Sequence, residues 1–92
     1  DYFCKVNKLW NIMNNINNSE KFRRIHFAVM AIEGSAKKLN ISGDKMYNRL
    51  KRQGLIKNRL FKHYDLLHTQ SLDWVVDDTI ETLTNWEKEE IL

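Results

Sequence analysis

Residues 36–52, AKKLNISGDKMYNRLKR, constrain the fold of this chain more than any other segment. We expect one helix to end at the Asn40-Ile41 turn and a second helix to begin at Ser42, whose hydroxyl can cap free backbone N–H groups. Ala36 is small enough to let the two helices cross closely. The second helix carries apolar residues at helical spacing: Met46, Tyr47 and Leu50. This spacing predicts a helix-turn-helix-like unit.

The composition favours helices in the rest of the chain as well. Proline is absent and only three of the 92 residues are glycine, which argues against a turn-rich β architecture. A chain of this length, with 42% hydrophobic residues, can bury roughly two-thirds of its unfolded surface in one core. We therefore predict an all-α fold, a compact bundle of about five helices that contains the helix-turn-helix-like unit.

The start of the chain predicts a separate amphipathic helix within residues 1–18. Its apolar residues recur at steps of three or four: Phe3, Val6, Trp10 and Met13. A cluster of Asn and Ser side chains then competes for backbone hydrogen bonds and breaks the helix. This segment either packs on the remaining domain, residues 19–92, or serves as an arm or dimer element.

A long central helix is predicted from Glu20 to Asn40, with Ser19 as its N-cap. The inward row follows the helical period over more than four turns: Phe22, Ile25, His26, Val29, Ile32, Ala36 and Leu39. On this row, His26 is interpreted as a core or boundary histidine in preference to a ligand.

Two further helices are predicted after Gly54, a natural helix stop. The first spans residues 55–64 with Lys57, Arg59 and Lys62 facing water, and buries an apolar set: Leu55, Ile56, Leu60, Phe61 and Tyr64. Leu66-Leu67 is expected to anchor the connection to the core. Ser71 then caps the last helix, whose predicted inward row is Leu72, Val76, Ile80 and Leu83.

The net charge of +3 conceals a strong asymmetry along the chain. Residues 21–62 contain twelve Lys or Arg and two acidic residues, whereas residues 63–92 contain one Lys and eight acidic residues. Such a basic middle favours binding to phosphate or to an acidic partner. Alternatively, the two oppositely charged segments complement each other within the fold.

Cysteine usage and hydropathy predict a cytoplasmic protein. Cys4 is the single cysteine, so no internal disulfide can form, which is typical of a reducing compartment. No apolar run approaches the roughly 20 residues of a membrane span, and no leader pattern is present.

Two motifs carry a family resemblance. They are I-S-G at residues 41–43 and Y-D-x-L-H-T-Q at residues 64–70. With these motifs the chain resembles, over about residues 22–83, the short bacterial proteins catalogued as domain of unknown function 3791. The resemblance implies a small helical protein. The occurrence of such proteins beside toxin-like genes also implies an antitoxin-like or other partner-binding role.

One binding hypothesis is DNA recognition through the helix at residues 42–53. A recognition helix needs exposed side chains that reach base edges, with flanking cations on phosphates. The candidate nucleic-acid or partner surface is Lys37, Lys38, Lys45, Asn48, Arg49, Arg52 and Lys57. Asp44 argues against this hypothesis because its charge repels phosphate. Arg49 also occupies a position that is usually apolar in helix-turn-helix proteins.

The favoured hypothesis is binding to a protein partner or to a second copy of the chain. Trp10, Trp74 and Trp86 exceed what a small core hides, and interfaces favour tryptophan anchors. The loop residues His68, Thr69 and Gln70 are candidate partner contacts. Alternatively, their side chains hydrogen-bond the backbone where two helices join.

No catalytic, metal-binding or cofactor-binding residue is predicted. His63, Asp65 and His68 cluster in the sequence and are candidates for an acid–base or metal site with Asp77 or Asp78. Their spacing matches no metal motif, and the chain has no glycine-rich phosphate loop or nucleophile elbow. We therefore predict a non-enzymatic binding module without a cofactor.

Overall fold

The computed structural model describes residues 4–6, 8 and 18–91. The all-α prediction is confirmed, and no strand occurs in these residues. The elements that follow residue 17 are α1 (Asn18–Leu39), α2 (Gly43–Arg52), a π-helix (Ile56–Phe61), α3 (Tyr64–Leu67) and α4 (Leu72–Ile91). Residues 4–6 and 8 also have helical backbone.

The described part of the N-terminal segment packs on α2. Val6 is fully buried and belongs to the main hydrophobic core. The Lys5 Nζ atom lies 5.9 Å from the centroid of the Tyr47 ring and 3.9 Å from a carboxylate oxygen of Asp44. The other members of the predicted apolar row lie outside the described residues: Phe3, Trp10 and Met13.

Helix α1 passes through the centre of the fold, and its buried face matches the predicted row except at Phe22 and His26. The face includes Ile25, Ile32 and four small residues: Ala28, Ala31, Ser35 and Ala36. Because small side chains allow close helix packing, α1 turns this face inward, and Phe22 and His26 point to solvent. Of the two predicted places for His26, core or boundary, the core was therefore wrong, and His26 lies at the surface in the lining of a groove. The predicted Ser19 cap was also wrong, since α1 already begins at Asn18.

The turn between α1 and α2 occurs at Asn40-Ile41, as predicted. Asn40 has φ 57°, the left-handed conformation that Asn tolerates better than most residues. Its N–H donates to the Lys37 carbonyl (3.2 Å), and the Ile41 N–H donates to the Ala36 carbonyl (2.9 Å). These two bonds form a Schellman motif, which satisfies carbonyls that the helix end leaves free.

Helix α2 has the predicted cap and the predicted buried row. The Ser42 hydroxyl oxygen accepts a hydrogen bond of 3.1 Å from the Lys45 backbone N–H. Met46, Tyr47 and Leu50 are buried. Gly54 has φ 73°, which confirms its predicted role immediately after the helix end.

A π-helix and the short helix α3 replace the single helix predicted for residues 55–64. The Lys62 N–H donates to the Lys57 carbonyl, five residues earlier, at 3.3 Å. In an ordinary α-helix of 3.6 residues per turn, Phe61 would face away from Ile56. The wider π-helical turn brings both side chains, with Leu60, into the core.

Helix α4 begins after Ser71, whose hydroxyl accepts a hydrogen bond from the Trp74 N–H at 3.2 Å, as predicted. Its buried row was predicted only in part. Val75, Val76, Thr79 and Leu83 are buried, whereas Leu72 is exposed and Ile80 is half-buried. The buried Thr79 hydroxyl donates to the Val75 carbonyl at 2.7 Å, so this polar group can lie in the core.

Helices α1 and α4 approach each other closely at Gly34. A Cβ atom placed on Gly34 would lie 2.5 Å from Cγ2 of Val76, far inside van der Waals contact. Because Gly34 has no side chain, α1 and α4, the two longest helices, can lie this close to each other.

Candidate functional site

The predicted basic surface is partly open to solvent. Lys45, Asn48 and Arg52 are exposed on α2, and Lys37 is exposed near the end of α1. Helix α2 thus offers several donors on its outer side. The other predicted members of the surface, Lys38, Arg49 and Lys57, have different surroundings.

Arg49 is held by the acidic end of α4. Its Nε donates to Oε2 of Glu87 at 3.0 Å, and its Nη2 donates to Oε1 at 2.6 Å. These hydrogen bonds lower the pKa of the Glu87 carboxyl and raise that of the Arg49 guanidinium, against the opposing effect of burial. The two side chains retain 34% and 30% exposure. Arg49 is therefore engaged within the chain, not offered outward.

Two more ion pairs join the basic segment to α4. Lys38 pairs with Asp77, and both side chains are exposed. Arg59 donates to Oδ2 of Asp78 from Nε at 3.0 Å, in a half-buried position. The prediction that Arg59 faces water was therefore wrong. Much of the charge asymmetry along the sequence is balanced by contacts inside the fold.

Lys57 lies at a basic cleft where α2 meets the π-helix. The cleft has a volume of about 380 Å³, and its charged lining residues are Lys51, Arg52 and Lys57. The backbone of Gly54 forms part of its wall. This cleft extends the cationic surface of α2.

The loop of His68, Thr69 and Gln70 hydrogen-bonds to α3. His68 Nδ1 lies 2.8 Å from the Tyr64 carbonyl oxygen, and the Thr69 hydroxyl donates to the Leu66 carbonyl at 2.7 Å. Two of the three side chains therefore satisfy backbone carbonyls at the end of a one-turn helix. The Gln70 backbone N–H donates to the Leu67 carbonyl at 3.1 Å. No hydrogen bond of its side-chain amide is found in the described part of the chain, and that side chain is exposed.

Tyr64 is the structural centre of the loop region. The His68 ring stacks on the Tyr64 ring with centroids 4.7 Å apart, and Phe27 meets it edge-on at 5.3 Å. The Arg24 guanidinium lies 4.9 Å from the Tyr64 ring centroid and donates to the Phe61 carbonyl at 3.0 Å. These contacts fix the loop to α1 and the π-helix.

Two open grooves flank the loop, and Gln70 contributes to both. The first, which we call the His26 groove, has a volume of about 370 Å³ and lies between α1 and the start of α4. Its lining residues are Arg23, His26, Phe27, Met30, Tyr64, His68, Gln70, Leu72 and Val75. The second, the Trp74 groove, has a volume of about 340 Å³. Its lining residues are Arg59, His63, Leu66, Leu67, Thr69, Gln70 and Trp74.

Exposed apolar side chains concentrate around these grooves. The described residues contain six large exposed ones: Phe22, Met30, Leu66, Leu72, Trp74 and Trp86. Met30 and Leu72 line the His26 groove, and Leu66 and Trp74 line the Trp74 groove. Phe22 stacks on His26 with ring centroids 6.3 Å apart. Clustered exposed apolar surface of this kind marks interaction sites in many soluble proteins.

Most of this apolar surface was not predicted from the sequence. The sequence pattern predicts Phe22 and Leu72 in inward rows, and Leu66 as an anchor to the core beside Leu67. Only Leu67 is buried, while Leu66 is 72% exposed. Two adjacent leucines on a one-turn helix point in different directions, because successive side chains are about 100° apart. This angle between successive side chains was the sequence feature that could have predicted the exposure of Leu66.

The acidic and histidine residues weighed as a catalytic or metal site are dispersed. Asp77 and Asp78 pair with cations, and His63 and His68 line different grooves. No group of three or more His, Cys, Asp or Glu is placed to hold a metal ion within residues 4–6, 8 and 18–91. In that same part of the chain, no helix has the length and apolarity needed to cross a membrane.

Comparison with known proteins identifies a family. Curated proteins and solved structures gave no match. A family model described as protein of unknown function (DUF3791) matches residues 26–86, which is more than half of the chain. The matched range includes the His68–Gln70 loop, which contributes to both grooves. The chain therefore belongs to the DUF3791 family.

Proposed function

We propose that this protein is a non-enzymatic cytosolic binding module that captures a protein partner through the His68–Gln70 loop and its two grooves. The observation that carries the proposal is the distribution of exposed apolar side chains. Four of the six in the described residues line the grooves, and Phe22 lies beside them on His26. Partner surfaces bury such side chains as anchors.

The loop adds directional polar groups between the two apolar grooves. Because a carbonyl can only accept, His68 Nδ1 donates to Tyr64, and the neutral ring then presents Nε2 as an acceptor. The Gln70 amide supplies both a donor and an acceptor beside it. A few polar groups within apolar surroundings orient a bound partner, which supports a specific contact surface.

The alternative function is DNA binding through the exposed face of α2. Lys45, Asn48 and Arg52 share that face, and Lys37 lies near the turn. The ion pair with Glu87 engages Arg49 within the chain, and the exposed ion pair of Lys38 with Asp77 places negative charge beside a second predicted contact. Protein binding is therefore the stronger proposal.

The proposal is tested by copurification from cells that express the chain naturally. A polypeptide should copurify with the wild type and with Trp86→Ala, but not with Trp74→Ala. The two tryptophans are on one helix and are 41% and 46% exposed, so they form a matched pair. Gln70→Ala should also weaken capture without changing the melting temperature. Equal capture by all four proteins would contradict the proposal.

Salt-dependent retention on duplex DNA tests the alternative. Phosphate contacts release counterions, so specific retention through α2 would fall steeply with salt and would be reduced by Lys45→Glu. Absence of retention at low salt would exclude DNA binding.

A further inference from the structure

We infer that the His26 groove receives one face of an amphipathic helix from the protein partner, with aspartate or glutamate residues flanking its apolar stripe. This inference rests on the proposed function and specifies the partner's chemistry. It depends on the shape of the groove and on the charge of its rim.

The groove lies along two helices. Its lining comes from α1 on one side and the start of α4 on the other, and helices pack by placing their side-chain ridges into grooves between neighbouring elements. The stretch of α1 that lines the groove, from Arg23 to Met30, has a length of about 10 Å at 1.5 Å per residue. An incoming helix covers that length with apolar residues at positions i, i+4 and i+7.

The floor and sides of the groove are apolar. Phe27 and Val75 lie at the packed interior side, and Met30 and Leu72 contribute exposed apolar surface. Burying the last two side chains under a ligand removes their apolar area from water, which favours binding.

The rim of the groove favours an acidic ligand. Arg23 is exposed and lines it, whereas none of its lining residues is Asp or Glu. The nearest acidic residues in the sequence are not part of the lining. Asp65 lies 3.5 Å from the Arg24 guanidinium, and Asp73 is an exposed residue that follows Leu72. Complementary charge at such a rim steers and orients a partner.

The test uses designed helical peptides as probes. One fluorescein-labelled peptide of about 18 residues carries leucines at i, i+4 and i+7 flanked by glutamates, a length that supports a helix. A second peptide replaces every flanking glutamate with lysine. Fluorescence polarisation should show that the acidic peptide binds the wild-type protein at least about tenfold more tightly than the basic peptide.

Variants of the protein show which part of its surface binds the peptides. Arg23→Glu should remove or reverse the preference for the acidic peptide, whereas Lys37→Glu should preserve it. Both substitutions make the same charge change at exposed positions of α1, but Lys37 does not line the groove. Leu72→Lys should weaken both peptides about tenfold or more, and Trp86→Lys should weaken neither. Each variant is first shown to melt like the wild type.

The outcomes separate this inference from the proposed function. Equal affinity for the two peptides, or no binding of either one, would overturn the inference. If Trp74→Ala still abolished capture of the natural partner, the proposed function would stand, because Trp74 lines the Trp74 groove and not the His26 groove. If the natural partner bound regardless of Gln70 and Trp74, the proposed function itself would fail.

Discussion

At the scale of single residues, the cations of this protein differ in what they can offer a ligand. Arg49 is bound by both carboxylate oxygens of Glu87, in the fork geometry that arginine favours. Lys45 on the same helix is exposed, whereas Arg52 also acts electrostatically on Glu87. The number of Lys and Arg residues in the sequence therefore overstates the positive surface that is available to a partner.

The pairing of Glu87 predicts a pH dependence of stability. The pKa of Glu87 is lowered from its ordinary 4.5 by Arg49, so the pair stabilises the fold fully near neutral pH. That contribution declines as the pH falls below about 4.5 and disappears below the folded-state pKa. Because both groups are about one-third exposed, Glu87→Gln should cost only about 0.5 kcal/mol at pH 7.

Thermal unfolding measures this effect. At pH 7, Glu87→Gln should lower the melting temperature by about 2–4 °C, and the difference from wild type should shrink below pH 4. Glu81→Gln is the control, since Glu81 is exposed on the same helix and has no ion pair in the described residues. A pH-independent difference would show that the carboxylate charge is irrelevant.

At the scale of helices and turns, the Asn40 conformation organises the α1–α2 connection. Asn40→Ala should lower the free energy of unfolding by about 1 kcal/mol, because a Cβ-bearing residue without a local polar group is strained at φ 57°. Asn40→Gly should be neutral or slightly stabilising. Urea denaturation compares the two. Asn48→Ala is the control, because residue 48 lies in the exposed interior of α2, where alanine should raise stability by a few tenths of a kcal/mol. Equal effects of Asn40→Ala and Asn48→Ala would contradict this account.

The close approach of α1 and α4 predicts a second effect at this scale. Gly34→Ala should destabilise the protein by about 1–2 kcal/mol, since the new Cβ meets Val76, a β-branched residue with one preferred rotamer in a helix. Adding Val76→Ala should make room, so the double variant should be more stable than the sum of the single effects. Additive effects in urea denaturation would argue against a direct clash.

The sequence predicted α2 better than α4 for a physical reason. In α2 the Ser42 cap, the Gly54 stop and a single apolar row all agree. In α4, Leu72, Trp74, Val75 and Val76 are all apolar, so periodicity alone permits several buried rows. Packing against Gly34 selects the row that contains Val75 and Val76. The π-helix was not predicted from the sequence. Its hydrogen bonds join residues five positions apart, and their formation depends on how Phe61 packs in the core.

The sequence predicted the loop of the candidate site but not its two grooves. The polar run His68-Thr69-Gln70 was visible as an unusual local motif. The grooves combine residues from α1, α3 and α4 that are far apart in the chain, so no local pattern identifies them. Similarly, opposite charges in the sequence indicated complementarity, but only the packed helices determine that Arg49 meets Glu87.

At the scale of the whole molecule, two different surfaces are available. The face of α2 is cationic and polar, whereas the loop and its grooves combine exposed apolar side chains with a weakly cationic rim. The first suits phosphate and the second suits a protein. The acidic side of α4 moderates the first surface through its ion pairs with Lys38 and Arg49.

The most direct test compares loss of partner binding when each surface is altered separately. One variant carries Leu66→Lys and Trp74→Lys, and the other carries Lys45→Glu and Arg52→Glu. Binding of the copurified natural partner is measured by titration after both variants are shown to fold. We predict that the first variant loses binding while the second retains it within about threefold. Retained binding in the first variant, with loss in the second, would contradict the assignment of the loop and grooves as the partner surface.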